Sequence, residues 1–437
     1  MLKSLDLRPF RGTALINALP RPSIGSSDPT DAVRAILSRV QHEGDIALFS
    51  LTKEFDKVEL SSLQIDKEEM KRAYDRIDPK LRDALEAAKY SVVRVHEEEL
   101  KSLGEHELID NFGMKIIYRT QPVHRAGCYI PGGAARYPSS VIMTATVAKV
   151  AGVKEVVLCV PPQPDGSIDD ATLAAAHISD VDYVFSVGGA QAIGAMAYGT
   201  ESVPQVDVIV GPGNIYVSIA KREVSQVVGV PSSFAGPSEV VVVADESVPP
   251  KWSALDIAVQ AEHGPNGLAW FITWNEEYAR EVERELEEYL EGALRKEHIL
   301  STLEAQGYVA LVRDKDQALE VSNLIAPEHL ELLYHDASQD LDLVDSAGAV
   351  FIGPYGTAAY GDYVAGPSHV LPTFATARFA SVLGVSDFRK RMHFIEVTRD
   401  AVEQISWAAE ELALAEGLEA HGDSIRVRRD EGSLDET

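Results

Sequence analysis

The sequence predicts an α/β protein of two Rossmann-like, doubly wound domains with helical N-terminal and C-terminal segments. Three observations carry this reading. From Met114 onward, short β-branched runs alternate with helical patterns, which is the signature of parallel βαβ layers. The series parts into two halves near Ala235-Gly236-Pro237, and the stretches on either side of it read as helical. At 437 residues, 45% of them hydrophobic, the chain is long enough to bury more than one core.

Asp31 to Val40 and Gly44 to Phe55 space their apolar residues for helices, and Pro79 to Leu103 is a long amphipathic stretch. Its Glu97-Glu98-Glu99 run reads as a solvated face. Strands are predicted at Lys115–Tyr118, Glu155–Val160, Asp182–Val187, Val206–Val210, Glu239–Ala244, Leu268–Thr273, Tyr308–Val312 and Ala349–Ile352. Helical patterns at Ser140–Ala151, Gln191–Ala197, Asn214–Val224 and Glu276–Leu290 fill gaps between them. Beyond Arg378 the pattern turns helical again, and Arg426 to Thr437 reads as a frayed, charged tail. The expected organisation is an arm over 1–28, one Rossmann-like domain over 129–235, a second over 29–128 plus 236–380, and a C-terminal segment over 381–437.

Composition excludes several functions. A formal charge of -28 opposes sustained contact with a phosphate backbone, so nucleic acid is not an expected partner. No apolar run approaches the roughly 20 residues that span a bilayer, and charges at Lys3, Asp6 and Arg8 sit where a signal peptide needs an apolar core. Two cysteines, Cys128 and Cys159, make no disulfide framework and lie in apolar strand-like runs. A cytoplasmic protein with buried thiols is expected, without membrane contact.

The chain is organised around Ile325-Ala326-Pro327-Glu328-His329-Leu330-Glu331. Here a helical pattern gives way to an extended one, and Pro327 ends the helix. Glu328 and His329 could thus present two proton-transfer groups to one cleft from different directions. Alone, such a pair is ordinary surface. Three further groups raise it. Gln260 and His263 are three apart at the end of a helical pattern that Gly264-Pro265 stops. Asp362 and His369 occupy Gly361-Asp362-Tyr363-Val364-Ala365-Gly366-Pro367-Ser368-His369, a loop too rich in glycine and proline to be regular. In Glu416-Gly417-Leu418-Glu419-Ala420-His421, Gly417 ends a helix and His421 follows in a loop before Ser424–Val427. A mixed set of Gln, Asp and His departs from closed cysteine sites and suits an open Lewis-acid centre, although no short zinc signature is met.

Three glycine turns mark the first half. Val187-Gly188-Gly189-Ala190-Gln191 and Val210-Gly211-Pro212-Gly213-Asn214 each join a strand to a helix, and Tyr129-Ile130-Pro131-Gly132-Gly133 adds an aromatic ring able to stack. The G-x-G-x-x-G spacing is missing. Three such turns on successive units nonetheless favour a nucleotide at the carboxyl edge of the strands.

In order and spacing these strings, with Ala235-Gly236-Pro237-Ser238-Glu239, resemble the histidinol dehydrogenase family, from about Asp31 to Arg428. The resemblance implies a domain-swapped homodimer that depends on zinc and NAD and oxidises L-histidinol twice, through the aldehyde, to L-histidine, in histidine biosynthesis. By motif, Gln260, His263, Asp362 and His421 would hold zinc, the metal shell being completed by substrate. Ser238, His329, His369 and Glu416 would bind substrate, and Tyr129, Gln191 and Asn214 would contact NAD. The domain over 129–235 would then bind NAD, the other would bind zinc and substrate, and the C-terminal segment would complete the partner's site.

On that reading His329 takes the hydroxyl proton as hydride leaves, and Glu328 activates the water that adds to the aldehyde. Cys128, with no flanking Lys or Arg, reads as a structural thiol. Some positions depart from the family pattern. Thr144 and Val147 stand where Asn and Pro are frequent, Pro231-Ser232-Ser233-Phe234 lacks the usual acid, and Gly264 and Ser368 replace Asp and Asn. Some of these features, with Gly127-Cys128-Tyr129 and Met143-Thr144-Ala145, resemble the related sulfopropanediol dehydrogenases, so another small alcohol is the alternative substrate. Readings of other classes are a zinc hydrolase, which needs no nucleotide, and a catalytically silent binding protein.

Overall fold

The computed structural model describes residues 1–20, 29–132, 136–231, 236, 238–264 and 267–430. Ala235 and Pro237 of the expected parting, Gly133, Pro265 and the Ser232-Ser233-Phe234 stretch lie outside the described residues. The chain forms two compact units, Met1–Glu99 with Val123–Phe388 and Leu100–Pro122 with Arg389–Thr437.

The larger unit carries two sheets. Its strands are β1 (Lys3–Asp6), β2 (Gln64–Ile65), β5 (Arg125–Tyr129), β6 (Glu155–Val160), β7 (Tyr183–Ser186), β8 (Val208–Val210), β9 (Glu239–Ala244), β10 (Leu268–Thr273), β11 (Gly307–Leu311), β12 (His329–Leu333) and β13 (Ala349–Ile352). The smaller unit holds β3 (His106–Ile109), β4 (Lys115–Pro122) and β14 (Arg389–Glu396). One sheet of the larger unit is six-stranded and parallel throughout, in the order β1-β11-β10-β9-β12-β13. The other runs β2-β7-β6-β5-β8, parallel except for the short edge pair β2–β7. Among the described residues, no helix is long and apolar enough to cross a membrane.

Burial on both faces explains the composition of β9. Val240, Val242 and Ala244 pack into a core with the helices Pro250–Ala261, Glu276–Gly292 and Lys296–Gln306. Val241 and Val243 face the opposite way, into a core with the helix Lys315–Ile325. A parallel strand covered on both sides reads as an unbroken apolar run for this reason. Each buried Val adds about 1.5–3 kcal/mol. The same alternation governs β12, where Leu330 and Leu332 join the second core and Leu333 the first. His329 and Glu331 therefore point to the side of the Pro250–Ala261 helix.

Seven of the eight predicted strands are found within two residues of their expected ends, whereas Lys115–Tyr118 runs on to Pro122; the long helices recur as Thr30–Glu43, Asp45–Phe55 and Pro79–Ser102. The differences have physical reasons. Lys115–Tyr118 belongs to an antiparallel three-stranded sheet, ordered β14-β4-β3, so the sheets are mixed rather than uniformly parallel. The stretch beyond Arg378 does not simply turn helical, because β14 intervenes; its opening Arg389-Lys390-Arg391 hides the strand behind charge. The first residues supply an edge strand paired with β11 and the helix Thr13–Ala18. The expected tail is helical as far as it is described, within Glu419–Asp430, with Arg426 and Arg429 on either side of Glu410 at 2.7 and 2.6 Å.

Candidate active site

The helix Lys315–Ile325 ends at Ala326, which adopts a left-handed conformation at φ 51°. Pro327 follows, and β12 opens on His329. The chain thus delivers Glu328 and His329 to the amino edge of the six-stranded sheet, both buried. The helix Pro250–Ala261 returns from the far end of β9 and brings Gln260 to the same edge, with His263 in the turn that follows. Asp362 arrives on the helix Ala358–Tyr363. Gly361-Asp362-Tyr363 is therefore helical rather than irregular. Gly361 is there for close approach, since a Cβ would stand 2.5 Å from the Phe351 ring.

These side chains form one connected array. Gln260 Nε2 donates to Asp362 Oδ2 at 3.2 Å, and Asp362 Oδ1 lies 3.6 Å from His329 Nε2. His329 Nδ1 is 2.9 Å from the Glu239 carbonyl oxygen and 3.5 Å from Glu328 Oε2. The Glu239 N–H donates to that same Glu328 oxygen at 2.9 Å. One peptide residue therefore grips both proton-transfer groups. A carbonyl only accepts, so one His329 proton sits on Nδ1, and Nε2 is the nitrogen at which the second proton comes and goes. Nε2 is buried and has no hydrogen-bond partner among the described residues.

His369 donates from Nδ1 to the Asp362 carbonyl at 2.9 Å, and its Nε2 lies 3.0 Å from the Ser140 hydroxyl. Both of its ring nitrogens are engaged within the chain. Ser238 is half-buried and immediately precedes β9 and Glu239.

Burial and neighbouring charge set the proton affinities. Burial raises Glu328 to about 7, against the pull of His329 and the Glu239 N–H. Burial opposes charge on His329 too, but Glu328 and Asp362 outweigh it and raise the ring to about 9. Asp362 stays below the usual carboxylate range: burial works against this, and the nearby His329 ring with the other surrounding imidazoles prevails. His263 and His369 are lowered by burial, which favours their neutral forms.

Across the five-stranded sheet, Tyr129, Gln191 and Asn214 line one cavity of about 860 Å³. It opens at the carboxyl ends of β5, β6, β7 and β8, where the strand order reverses about β5, the usual place for a ligand in a doubly wound sheet. The Tyr129 hydroxyl accepts from Gly189 N–H at 3.1 Å, spanning the intervening strand β6. Asn214 caps the helix Ile215–Val224 through Oδ1, at 3.0 and 3.2 Å from the N–H groups of Tyr216 and Val217. Gly211, at φ 105°, passes so near Tyr129 that a Cβ would stand 2.1 Å from its carbonyl oxygen. Beneath this loop Lys221 is fully buried, donates to the Gly211 carbonyl, and is lowered to about 7 by burial. Cys128 is buried and raised to about 12 by that burial, so its thiol is inert, as expected.

Glu416 and His421 belong to the smaller unit, where both are exposed. His421 lies inside the helix Glu419–Asp430, not in a loop; Gly417, at φ 70°, interrupts the helical run only briefly. Among the described residues no group of three or more His, Cys, Asp and Glu side chains is arranged to hold a metal. Sequence reasoning missed Glu239, Ser140 and Phe351, whose ring stacks on His329 at 6.1 Å. Glu239 acts through its backbone, which leaves no mark in a side-chain pattern.

The family profile described as histidinol dehydrogenase matches residues 19–429. The chain belongs to the histidinol dehydrogenase family. It is 45% identical to a histidinol dehydrogenase of Bacillus cereus over 402 residues, 92% of each chain. A histidinol dehydrogenase of Aquifex aeolicus is also 45% identical, over 403 residues and 92% of each chain. The crystal structure of histidinol dehydrogenase from Elizabethkingia anophelis superposes with a TM-score of 0.92 at 31% identity, covering 99% of both chains.

Proposed function

We propose that this member of the family is an NAD-linked, zinc-dependent dehydrogenase that converts L-histidinol through L-histidinal to L-histidine, the closing oxidations of histidine biosynthesis. The observation that carries the reading is the shared grip of the Glu239 backbone on Glu328 and His329. It holds Nδ1, so that Nε2 is the imidazole nitrogen that exchanges protons, and it keeps a carboxylate of raised pKa beside it.

The chemistry of these side chains suits zinc, and the lining of the cavity suits NAD. Gln260 and Asp362 already lie within hydrogen-bond distance, and burial keeps His263 neutral, its ligating form. With His421 supplied by a partner's C-terminal segment as the fourth ligand, these residues would hold zinc. Bound there, zinc would orient the substrate's amine and imidazole and offset the Asp362 carboxylate. NAD would occupy the 860 Å³ cavity against Tyr129, Gln191 and Asn214. Ser238, His369 and Glu416 would complete the substrate pocket.

In the first oxidation His329 Nε2 accepts the alcohol proton as hydride leaves the carbinol carbon. In the second, Glu328 takes a proton from the water that adds to the aldehyde, and His329, once its first proton has passed to solvent, deprotonates the hydrate before the next hydride departs. Both groups stay fixed by Glu239 throughout, so neither step waits on their reorientation.

A homodimer with exchanged C-terminal segments would bring Glu416 and His421 to a partner's site. Its support is the apolar surface of the smaller unit, where Phe394, Ile395, Trp407, Leu412 and Leu414 are all exposed. Buried, unpaired thiols fit a reducing cytoplasm. The test is a substrate panel with NAD: histidinol, histidinal, sulfopropanediol and simple amino alcohols. Nicotinamide reduction with histidinol and histidinal supports the reading. Preference for sulfopropanediol would move it to the sister branch, and no reduction with any would refute it.

A further inference from the structure

A second group of acids lies one layer beneath the site and takes no part in the steps above. Glu331 is fully buried on β12, two residues past His329 and on the same face. Its Oε1 accepts the Ala358 N–H at 2.6 Å, at the start of the short helix that carries Asp362 one turn later. Its Oε2 is buried and meets no hydrogen-bond donor among the described residues. What faces it is another carboxyl, that of Asp256, which also accepts from the Thr357 hydroxyl. Asp256 stands one turn before Gln260 on the Pro250–Ala261 helix, and so on the same side of it.

The two acids thus join three elements at matching depths: Asp256 below Gln260, Glu331 below His329, and Ala358 below Asp362. We propose that Asp256 and Glu331 share a single proton, and that this pair is the positioning clamp that sets Gln260, His329 and Asp362 in register. The proposal rests on the reading of Gln260 and Asp362 as metal ligands. Two adjacent carboxylates in such surroundings cannot both ionise without strong repulsion. Two neutral acids would weaken the bond from the Ala358 N–H, which an ionised carboxylate accepts more strongly. One proton resolves both problems. It gives Glu331 Oε2 the donor that it lacks, and it keeps one charge at the helix start. Burial raises Asp256 to about 6 and Glu331 well above the carboxylate range, in keeping with this.

An amide can stand in for the shared proton. In Glu331→Gln or Asp256→Asn the new N–H₂ donates to the remaining carboxylate, and the pair keeps its single charge. Infrared spectra of the full-length protein at neutral pH test the proton directly, through the carbonyl stretch of a protonated carboxyl. Subtracting each variant from the native protein should show the whole band lost in either single variant, and no further loss in the double variant. No lost band, or two losses that add, would overturn the shared proton.

Zinc competition against a chromogenic chelator tests the clamp. Either amide variant should hold zinc within about threefold of the native protein, whereas Glu331→Leu should weaken it roughly 10- to 100-fold, as loss of a supporting shell does. If Glu331→Leu fails to fold, the double amide variant serves instead, since it keeps the volume and removes the charge. Unchanged zinc affinity in both would overturn the clamp. Native protein that takes up no zinc would instead remove the metal reading, and the clamp with it, while the infrared band still decides the proton.

Discussion

Nδ1 of His329 lies 2.9 Å from the carbonyl oxygen of Glu239, and this one bond makes Nε2 the nitrogen that exchanges protons. The replacement His329→Asn separates placement from proton transfer, because the Asn amide can mimic Nδ1 but supplies nothing at Nε2. The variant should melt close to the native protein, while NADH formation from histidinol falls about 10²- to 10⁴-fold. Rapid-mixing absorbance with a thermal melt checks both. Activity within about tenfold of native would remove His329 as the base.

Glu328 accepts from the Glu239 N–H at 2.9 Å, and a Gln in its place can still accept there. Glu328→Gln should therefore leave the first hydride transfer near native and slow the second about 10²-fold, the usual worth of a positioned base. Single turnovers would show one fast and one delayed equivalent of NADH. Equal slowing of both would contradict the division between the two residues.

Asn214 has two duties that one substitution separates. Asn214→Asp keeps an oxygen for the N–H groups of Tyr216 and Val217, so the cap, worth about 1 kcal/mol, survives. It removes the amide donor and brings negative charge toward the cavity. Stability should hold while NAD binds about tenfold or more weakly, as a loss of 1.4 kcal/mol implies. Calorimetric titration with NAD checks this, and unchanged affinity would exclude Asn214 from the nucleotide site.

Lys221 gives a pH-dependent stability of predictable sign. Burial lowers it from 10.5 to about 7, so between those values the unfolded chain binds a proton that the folded chain does not. Stability then rises with pH across that window, and the penalty is greatest below about 7. Lys221→Met should remove this contribution. The difference in unfolding free energy between native and variant, measured in urea from pH 7 to 10, should shift steadily in favour of the native protein. A flat difference would mean that Lys221 is already neutral in both states, or charged in both.

Much of the fold is legible from periodicity, because β9 and β10 are buried on both faces and announce themselves as apolar runs. β14 is hidden, since its charged opening residues pair with β4 at an exposed position. The site is legible in part. Gln260, His263, Glu328, His329, Asp362 and His369 stand in recognisable strings, and the structure gathers them in the larger unit. What periodicity cannot express is the role of Glu239, which works through its N–H and C=O, or of Ser140, which reaches His369 across 229 residues of sequence. Nor does spacing reveal that Gly361 serves packing against Phe351 while its segment stays helical.

The central claim is that one site, built on Glu328 and His329, carries out both oxidations. The most direct measurement is the amount of NADH formed when limiting histidinol is consumed to completion by the zinc-loaded protein with excess NAD. Two NADH per histidinol, with histidine as the product, is the expected result. One NADH with free aldehyde accumulating, or none at all, would contradict it.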